Sequence, residues 1–468
     1  MACGYWNSGV SDHEAAFHVT FRENPFGGEF TVTCGLATVI DFLSAFHFDE
    51  TEIDYLASQR GNDGKPLFSA GFLDYLRSLQ LTCDIDAIPE GTLVFPNEPL
   101  IRVRGPIIEC QLLETALLNI LNFESLIATK AARVCLAAEN DPVIEFGLRR
   151  AQGFDGGLTA ARAACVGGCA GTSNLQAGQR FGIPVSGTQA HSWIMFFERE
   201  SQAFEAYARA MPNNCIFLVD TYNTLEGVRH AIDVARQLRK NGYEMIGVRL
   251  DSGDRVALSI ETRRMLDKAG FTTAKVVCSG DLDEHAIADM KRHGAKIDMW
   301  GVGTKLTTGQ PDAALGGIYK LGAVRRPGDQ WQYRIKLSAE RAKTSCPGLL
   351  QVRRFHQPDG GFVADAIYEI DHRLSEPCTI IDPQTEQERE IPAKMEHSNL
   401  LVPIFRKGEL VYQVPNLASS RDYTRQQLSR LPAEVARLDN PHAYPVGLER
   451  SLHELRSTLM ARAREQSS

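Results

Sequence analysis

A bilayer-spanning helix needs roughly 20 consecutive apolar residues, and no stretch of this chain supplies them. The N-terminus, Met1-Ala2-Cys3-Gly4-Tyr5-Trp6-Asn7, lacks the basic segment and apolar core of a secretory signal, so a cytoplasmic location is expected. An excess of positive charge is also missing: 50 Lys and Arg stand against 58 Asp and Glu, for a formal charge of -8. Nucleic acids are held by clustered cations that neutralise phosphates, so neither a nucleic-acid nor a membrane partner is expected. The eleven cysteines run from Cys3 to Cys378, an odd number without regular spacing, which does not describe a disulfide framework. Cys165 and Cys169, the closest pair, have no second Cys or His pair at ligand spacing, and small buried thiols are expected there rather than zinc. Internal repeats and low-complexity segments are absent as well.

What is present is a long globular chain. At 468 residues, 43% hydrophobic and 23% charged, it calls for two or three domains. Short β-like segments open it, at Ala16 to Phe21, Phe30 to Thr33, Thr92 to Phe95 and Leu100 to Val103, with helical patterns at Ile53 to Ser58 and Ala70 to Leu79 between them. Glu109 to Leu136 carries apolar residues at helical spacing and reads as one long helix or two. Apolar β-like runs follow at Val143 to Gly147, Ile183 to Gly187, Cys215 to Asp220, Met245 to Asp251, Lys275 to Gly280 and Ile297 to Gly303. Amphipathic helices separate several of them, at Gly227 to Lys240, Ala257 to Ala269 and Asp283 to His293. Strict alternation predicts parallel strands with right-handed crossovers, and six units suit an α/β barrel better than a small open sheet. Beyond Leu321 the pattern returns to short strands, Tyr333 to Leu337, Leu350 to Phe355 and Phe362 to Ile370, before a charged terminal helix over Leu448 to Arg464. The two ends are expected to combine into one discontinuous domain. The division reads as residues 1–105 and 326–468 for that flanking domain and 106–325 for the barrel.

The expected strands end in polar residues: Gly187-Thr188, Asp220-Thr221, Asp251-Ser252-Gly253-Asp254, Ser279-Gly280-Asp281 and Gly303-Thr304. Turn chemistry explains any one of these. Five at the same strand end point to the C-terminal mouth of a barrel, where active sites form. His191 follows the Gly187-Thr188 turn, and imidazole is a good transient phosphoryl acceptor. Asp220 either caps the next helix or faces His191 and orients its ring. Arg249 lies two residues from Asp251, on the same side of a strand, and is either half of a structural ion pair or a fork for a carboxylate or phosphate. Asp251 and Asp254 suit ribose hydroxyls or magnesium. Gly301-Val302-Gly303-Thr304, a loop near the last expected strands, suits phosphate oxygens through backbone amides. Arg149 and Arg150 add a cationic pair, and a negatively charged protein that gathers cations at one mouth is expected to bind an anionic small molecule there.

Together, Glu145-Phe146-Gly147-Leu148-Arg149-Arg150-Ala151-Gln152-Gly153, Gly187-Thr188-x-Ala190-His191-Ser192, Asp220-Thr221-Tyr222, Val248-Arg249-Leu250-Asp251-Ser252-Gly253-Asp254, and Gly303-Thr304 through Tyr319-Lys320-Leu321 resemble the nicotinate phosphoribosyltransferase family. The motifs occur in that family's order, and the resemblance spans about Met1 to Pro347. It implies conversion of nicotinate and phosphoribosyl pyrophosphate to nicotinate mononucleotide and pyrophosphate, in NAD salvage, coupled to ATP hydrolysis with magnesium or manganese. It implies phosphorylation of His191, nicotinate contacts from Thr188 and Arg249, and a phosphoribosyl contact from Thr304. The catalytic set expected is His191, Asp220 and Asp251; the substrate-binding set is Thr188, Arg249, Arg149, Thr304, Gly303, Ser279, Gly280 and Asp254. No metal ligands are assigned. The implied fold is an incomplete α/β barrel beside an α/β sandwich, and the implied assembly is a homodimer. In the family an Asp-x-Tyr-Gln helix precedes the segment matched by Ala2-x-Gly4-Tyr5-Trp6. Its absence predicts either a later start than the natural one or weak nicotinate binding.

Rival readings are a nicotinamide phosphoribosyltransferase, a catalytically impaired binding protein, and a barrel aldolase or lyase. The last needs a Schiff-base lysine or a metal-ligand set at strand ends, and neither Lys275, which opens a strand, nor Lys305, which follows Thr304, is expected to lie deep enough. Quinolinate phosphoribosyltransferases resemble it less, since they lack the histidine motif.

Overall fold

The computed structural model describes residues 1–338, 340, 343–372 and 374–465. It is a mixed α/β protein that divides into two compact units. One comprises residues 1–125, 314–416 and 425–468, the other residues 126–313 and 417–424.

The first unit is built on sheets whose strands come from both ends of the chain. Glu14–Thr20 sits between Ile318–Arg325 and Ile101–Pro106, antiparallel to both, in a seven-stranded sheet that continues through Asp84–Ala87 to Val402–Arg406. The register brings Glu14 opposite Arg325, with an ion pair at 2.5 Å, and Phe17 stacks on Tyr319 with ring centroids 4.7 Å apart. A second, six-stranded sheet runs from Glu388–Ile391 to Glu396–Asn399 through Cys378–Ile381, Val446–Glu449, Phe362–Glu369 and Leu350–His356. Inside it Arg354 is fully buried and bonds both oxygens of Asp365, as a desolvated charge must. The strand expected at Tyr333 to Leu337 shrinks to Gln332–Tyr333, which pairs with Ala323 and Val324 alone.

The second unit holds the parallel sheet. Its strands are β1 (Val143–Glu145), β2 (Gly171–Thr172), β3 (Ile216–Leu218), β4 (Gly247–Leu250), β5 (Lys275–Cys278) and β6 (Met299–Val302). All pairs are parallel, in the order β2-β1-β6-β5-β4-β3, and the sheet curls into a half barrel. The helices are α1 (Glu114–Ala138), which enters from the first unit, then α2 (Gly153–Val166), α3 (Leu175–Phe181), α4 (His191–Phe196), α5 (Glu200–Ala210), α6 (Thr224–Lys240), α7 (Arg255–Lys268), α8 (Glu284–Arg292) and α9 (Thr304–Thr307). A separate short helix, Ile107–Leu112, precedes α1, so the region expected to be one helix or two is two.

Amphipathic spacing explains the packing of this unit. Val228, Ala231, Ile232 and Ala235 of α6 recur at helical spacing and bury against Phe217, Val248 and Val276 of β3, β4 and β5. Each large side chain fully buried there contributes about 1.5–3 kcal/mol. Lys130 and Arg133 on α1 meet Glu284 at the first residue of α8, at 2.6 and 3.0 Å with all three side chains buried. Two cations facing one carboxylate in that setting make the contact strongly selective for its partners.

One expected strand is absent. Ile183 to Gly187 forms only an isolated bridge from Val185 to Thr172. Pro184 has no N–H to give to a ladder, so this segment follows β2 without becoming a strand. The strand that takes the edge beside β1 is Gly171–Thr172, whose two residues carry too little periodicity to be seen in the sequence.

Candidate active site

The parallel strands all deliver their following residues to one end. Phe146 and Gly147 follow β1, Asp220 follows β3, Asp251 follows β4, Ser279 and Gly280 follow β5, and Gly303 follows β6. At that end lies a cleft of about 770 Å³. Its wall includes Arg149, Thr188, His191, Arg249, Asp251, Ser279, Gly280, Gly303 and Thr304.

Arg249 organises the centre. Its Nε donates to Ser279 Oγ at 2.7 Å, one Nη to Thr188 Oγ1 at 2.8 Å and the other to Asp251 Oδ1 at 2.6 Å. Ser279 Oγ donates to the same Asp251 oxygen. Burial works against ionisation of Asp251, but the Ser279 hydrogen bond and the Arg249 charge outweigh it and hold the carboxyl below its usual range. The two sequence alternatives for Arg249 therefore coincide in part: it is paired, and it still faces the cleft with its side chain 18% exposed.

His191 opens α4, whose Ile194 is buried in the core beside α5 and α6. The ring is 42% exposed at the cleft, and its Nε2 stands 3.4 Å from Oδ1 of Asp220. Asp220 is buried to 1% exposure and does not line the cleft; it lies behind the histidine. Its Oδ2 accepts from the Asp251 amide at 3.0 Å and from Ser252 Oγ at 2.6 Å. The cap of α6 is Asn223, so of the two sequence alternatives Asp220 takes the place facing His191.

Asp254 stands apart from this group. Its carboxylate caps α7 by accepting from the Ala257 amide at 3.1 Å, and it is not among the cleft residues. Lys305 pairs with Asp283 at 2.6 Å, and Lys275 is exposed at the first position of β5, opposite to the cleft end. Neither lysine offers a Schiff base.

Several residues of the cleft went unnoticed in the sequence. Arg255 bonds the carbonyls of Ser279 and Gly280 and so fixes the turn after β5. Gln189, the variable position of the histidine motif, accepts from the Leu218 amide at 3.2 Å and ties its loop to β3. Phe146 lies under Arg249, with the guanidinium carbon 5.7 Å from the ring centre. Their signal is weak because each acts through a partner distant in the chain. Arg149 and Arg150, by contrast, are exposed in the cleft wall and meet no hydrogen-bond or ion-pair partner among the described residues. Cations so placed beside a histidine are available to an anion.

Glycine is required at two points of this wall. A Cβ on Gly301 would come within 2.7 Å of the Phe146 ring. Gly280 has φ +90, and a Cβ there would lie 2.1 Å from the Asp251 carbonyl oxygen. Gly280→Ala is expected to push apart the turns after β4 and β5 and to lower kcat/KM about ten-fold, a loss of about 1.4 kcal/mol of transition-state binding. Unchanged steady-state kinetics would show that this close approach does not position the site.

A parallel α/β sheet with a cationic, histidine-bearing cleft at its C-terminal strand ends defines an enzyme that handles an anionic small molecule. Family models agree across the chain: the nicotinate phosphoribosyltransferase N-terminal domain matches residues 1–122, the family's central model residues 142–326 and its C-terminal domain residues 350–456. A nicotinate phosphoribosyltransferase of Bacillus subtilis is 40% identical, covering 98% of this chain and 94% of its own. The human enzyme of that name is 33% identical over 98% and 95%. A crystal structure of human nicotinic acid phosphoribosyltransferase superposes with a TM-score of 0.86 at 32% identity, covering 98% of both chains. A nicotinate-nucleotide pyrophosphorylase from Pyrococcus furiosus shares the fold, with a TM-score of 0.68 at 23% identity. The chain belongs to the nicotinate phosphoribosyltransferase family.

Proposed function

We propose that the cleft transfers the phosphoribosyl group of phosphoribosyl pyrophosphate to the ring nitrogen of nicotinate, driven by ATP through a phosphorylated His191. The observation that carries this reading is the pairing of buried Asp220 with His191 at a cleft whose Arg149 and Arg150 have no partner among the described residues.

Each group has work in that reaction. Arg249 and the Thr188 hydroxyl receive the nicotinate carboxylate; a guanidinium already aligned by three side chains loses little freedom on binding. Arg149, with the amides near Gly280, Gly303 and Thr304, holds phosphate oxygens. Breaking the C1 to pyrophosphate bond leaves a cation-like ribose and a strongly anionic leaving group, so placement and charge stabilisation matter more than a nucleophile. With Nε2 facing Asp220, the nitrogen left to receive the γ-phosphoryl group is Nδ1. The new N–P bond forms as the bond to the β,γ-bridging oxygen of ATP breaks, ADP departs with the electron pair, and Asp220 holds the Nε2 proton. Water later cleaves the N–P bond and returns the ring and inorganic phosphate.

Magnesium or manganese fits the chemistry of the donors present. The cleft wall offers two carboxylates, Asp251 and Asp281, and among the described residues no cage of three ligands there, which suits an ion that completes its shell with phosphate oxygens and water. When bound, it neutralises pyrophosphate charge as the C1 bond breaks. The same reading makes the half-barrel sheet an incomplete α/β barrel with residues 1–105 and 326–468 as its flanking domain, places the enzyme in the cytoplasm, and makes it a homodimer. For the dimer, support comes from Phe154 and Phe196, more than four-fifths exposed and each four residues along the chain from a residue of the cleft wall, Arg150 and Ser192. No helix among the described residues is long and apolar enough to cross a membrane.

A product assay with both pyridines decides the substrate. Nicotinate mononucleotide is expected to form with stoichiometric pyrophosphate and ADP, and nicotinamide is expected to react at least ten-fold less efficiently. Equal turnover of the two would remove the acid-specific role of the cleft, and no turnover of either would favour a binding protein.

A further inference from the structure

Asp220 is a buried carboxylate held firmly at one oxygen and loosely at the other. Its Oδ2 accepts from the Asp251 amide at 3.0 Å and from Ser252 Oγ at 2.6 Å, the latter as short as a charge-assisted bond from a hydroxyl to a carboxylate. Its Oδ1 is buried, takes no hydrogen bond from the described residues, and stands 3.4 Å from His191 Nε2. That is longer than the roughly 2.7–3.2 Å of an N–H to oxygen bond, so the imidazole does not itself fix the carboxylate. What aims Oδ1 at the ring is the clamp on Oδ2. Both donors of that clamp lie in the turn after β4, and the turn is anchored on two sides. The Val219 amide donates to the Arg249 carbonyl at 3.3 Å, which keeps the chain beside β4 as far as Asp220, and Arg249 Nη holds the Asp251 carboxylate at 2.6 Å. A contact that only joined the end of β3 to this turn would be served by the Asp251 amide. The second bond fills the other acceptor position of Oδ2 and fixes the plane of the carboxylate. Ser252 is exposed and lines the cleft, so core packing does not call for a hydroxyl there.

We propose that Ser252 is a positioning residue for the phosphorylation of His191. Its hydroxyl holds the Asp220 carboxylate with Oδ1 facing Nε2, and so keeps the ring in the tautomer that carries its proton on Nε2 and presents Nδ1 to the γ-phosphoryl group. Without the hydroxyl the carboxylate turns about its Cβ–Cγ bond and the ring also populates the Nδ1-protonated form, which cannot accept the phosphoryl group. Ser252 acts through Asp220 and not on the reacting atoms. This rests on the reading of His191 as the phosphorylated group. Outer partners that orient histidine ligands at metal sites are worth about 10–100-fold in affinity or activity. The lower end is expected here, because the Asp251 amide stays in place.

The test compares Ser252→Ala, Ser252→Thr, Asp220→Ala and the double alanine variant in the full-length enzyme with γ-labelled ATP and magnesium. Ser252→Ala is expected to slow labelling of His191 about ten-fold, and Ser252→Thr, which keeps the hydroxyl, to label within about two-fold of the wild-type rate. The double variant is expected to be no slower than Asp220→Ala alone, since without the carboxylate the hydroxyl has nothing to orient. A Ser252→Ala enzyme that labels at the wild-type rate, a Ser252→Thr enzyme as slow as Ser252→Ala, or additive losses would overturn the proposal. The ring nitrogen resonances of His191 give a readout that a packing role would not move. They are recorded without ATP at about pH 8.5, above the ordinary imidazole value of about 6.5. The Nε2-protonated form is expected to dominate in the wild type and in Ser252→Thr, and the share of the Nδ1-protonated form to rise several-fold in Ser252→Ala. The same tautomer ratio in all three would refute the link. A wild-type enzyme that takes no label rejects the phosphohistidine itself, and the tautomer ratio still decides whether Ser252 sets the ring.

Discussion

A His191→Ala enzyme given γ-labelled ATP and magnesium is expected to carry no label, to hydrolyse no ATP in step with product, and to retain a slow ATP-independent transfer. The predicted fall in ATP-stimulated turnover is about a thousand-fold, within the range by which positioned acid–base and nucleophilic groups accelerate their steps. Folding should be spared. The ring is 42% exposed, and its neighbour Ile194, not the histidine, is the part of α4 that enters the core. A change in melting temperature of more than a few degrees would signal a structural effect instead. Label found on another residue in the wild-type enzyme, or full coupling in His191→Ala, would reject the role.

The second large effect is expected at Arg249. Arg249→Ala removes the fork for the nicotinate carboxylate together with three side-chain hydrogen bonds, to Ser279, Thr188 and Asp251. KM for nicotinate is expected to rise about 100-fold, equivalent to about 2.7 kcal/mol, and KM for nicotinamide far less. Arg249→Lys should fall between, because an ammonium keeps the charge but loses the planar fork. Equal losses for the two pyridines would mean that Arg249 serves only as scaffolding. The substitution also carries an acid signature. In the wild type Asp251 has a lowered folded-state pKa, so its contribution to stability is present above the unfolded value and disappears as pH falls through the lowered one. Without Arg249 its charge and hydrogen bond no longer add to the Ser279 bond in opposing the effect of burial, and unfolding on acid titration, followed by circular dichroism, is expected to begin at a higher pH.

The half-barrel was legible because its information is local. Apolar runs such as Val276 and Val277, followed by helical spacing in α6 and α8, announce alternating strands and helices before any contact is known. The strand that failed, Ile183 to Gly187, failed for an equally local reason, the missing donor of Pro184, although its apolar run concealed it. The strands between Cys378 and Leu410 were invisible, since segments such as Glu388–Ile391 and Glu396–Asn399 are mostly exposed and carry little periodicity. They become strands only through partners elsewhere in the chain.

The candidate site divides in the same way. His191, Arg249, Asp251, Ser279 and Gly280 stood out because they follow apolar runs, and the cleft gathers all five. Asp254 stood out for the same reason, yet it caps a helix. Arg255 and Gln189 did not stand out, because what matters in each is the identity of a partner 24 to 29 residues away. By itself the sequence determined five of the six parallel strands and the polar residues that follow them, since backbone periodicity and turn chemistry act over a few residues. Only the tertiary structure decided which of those residues meet, and that the Asp220 side chain is buried behind His191 while Asp254 caps a helix. Burial and pairing of charges depend on the chain around them, and no stretch of sequence specifies its own surroundings.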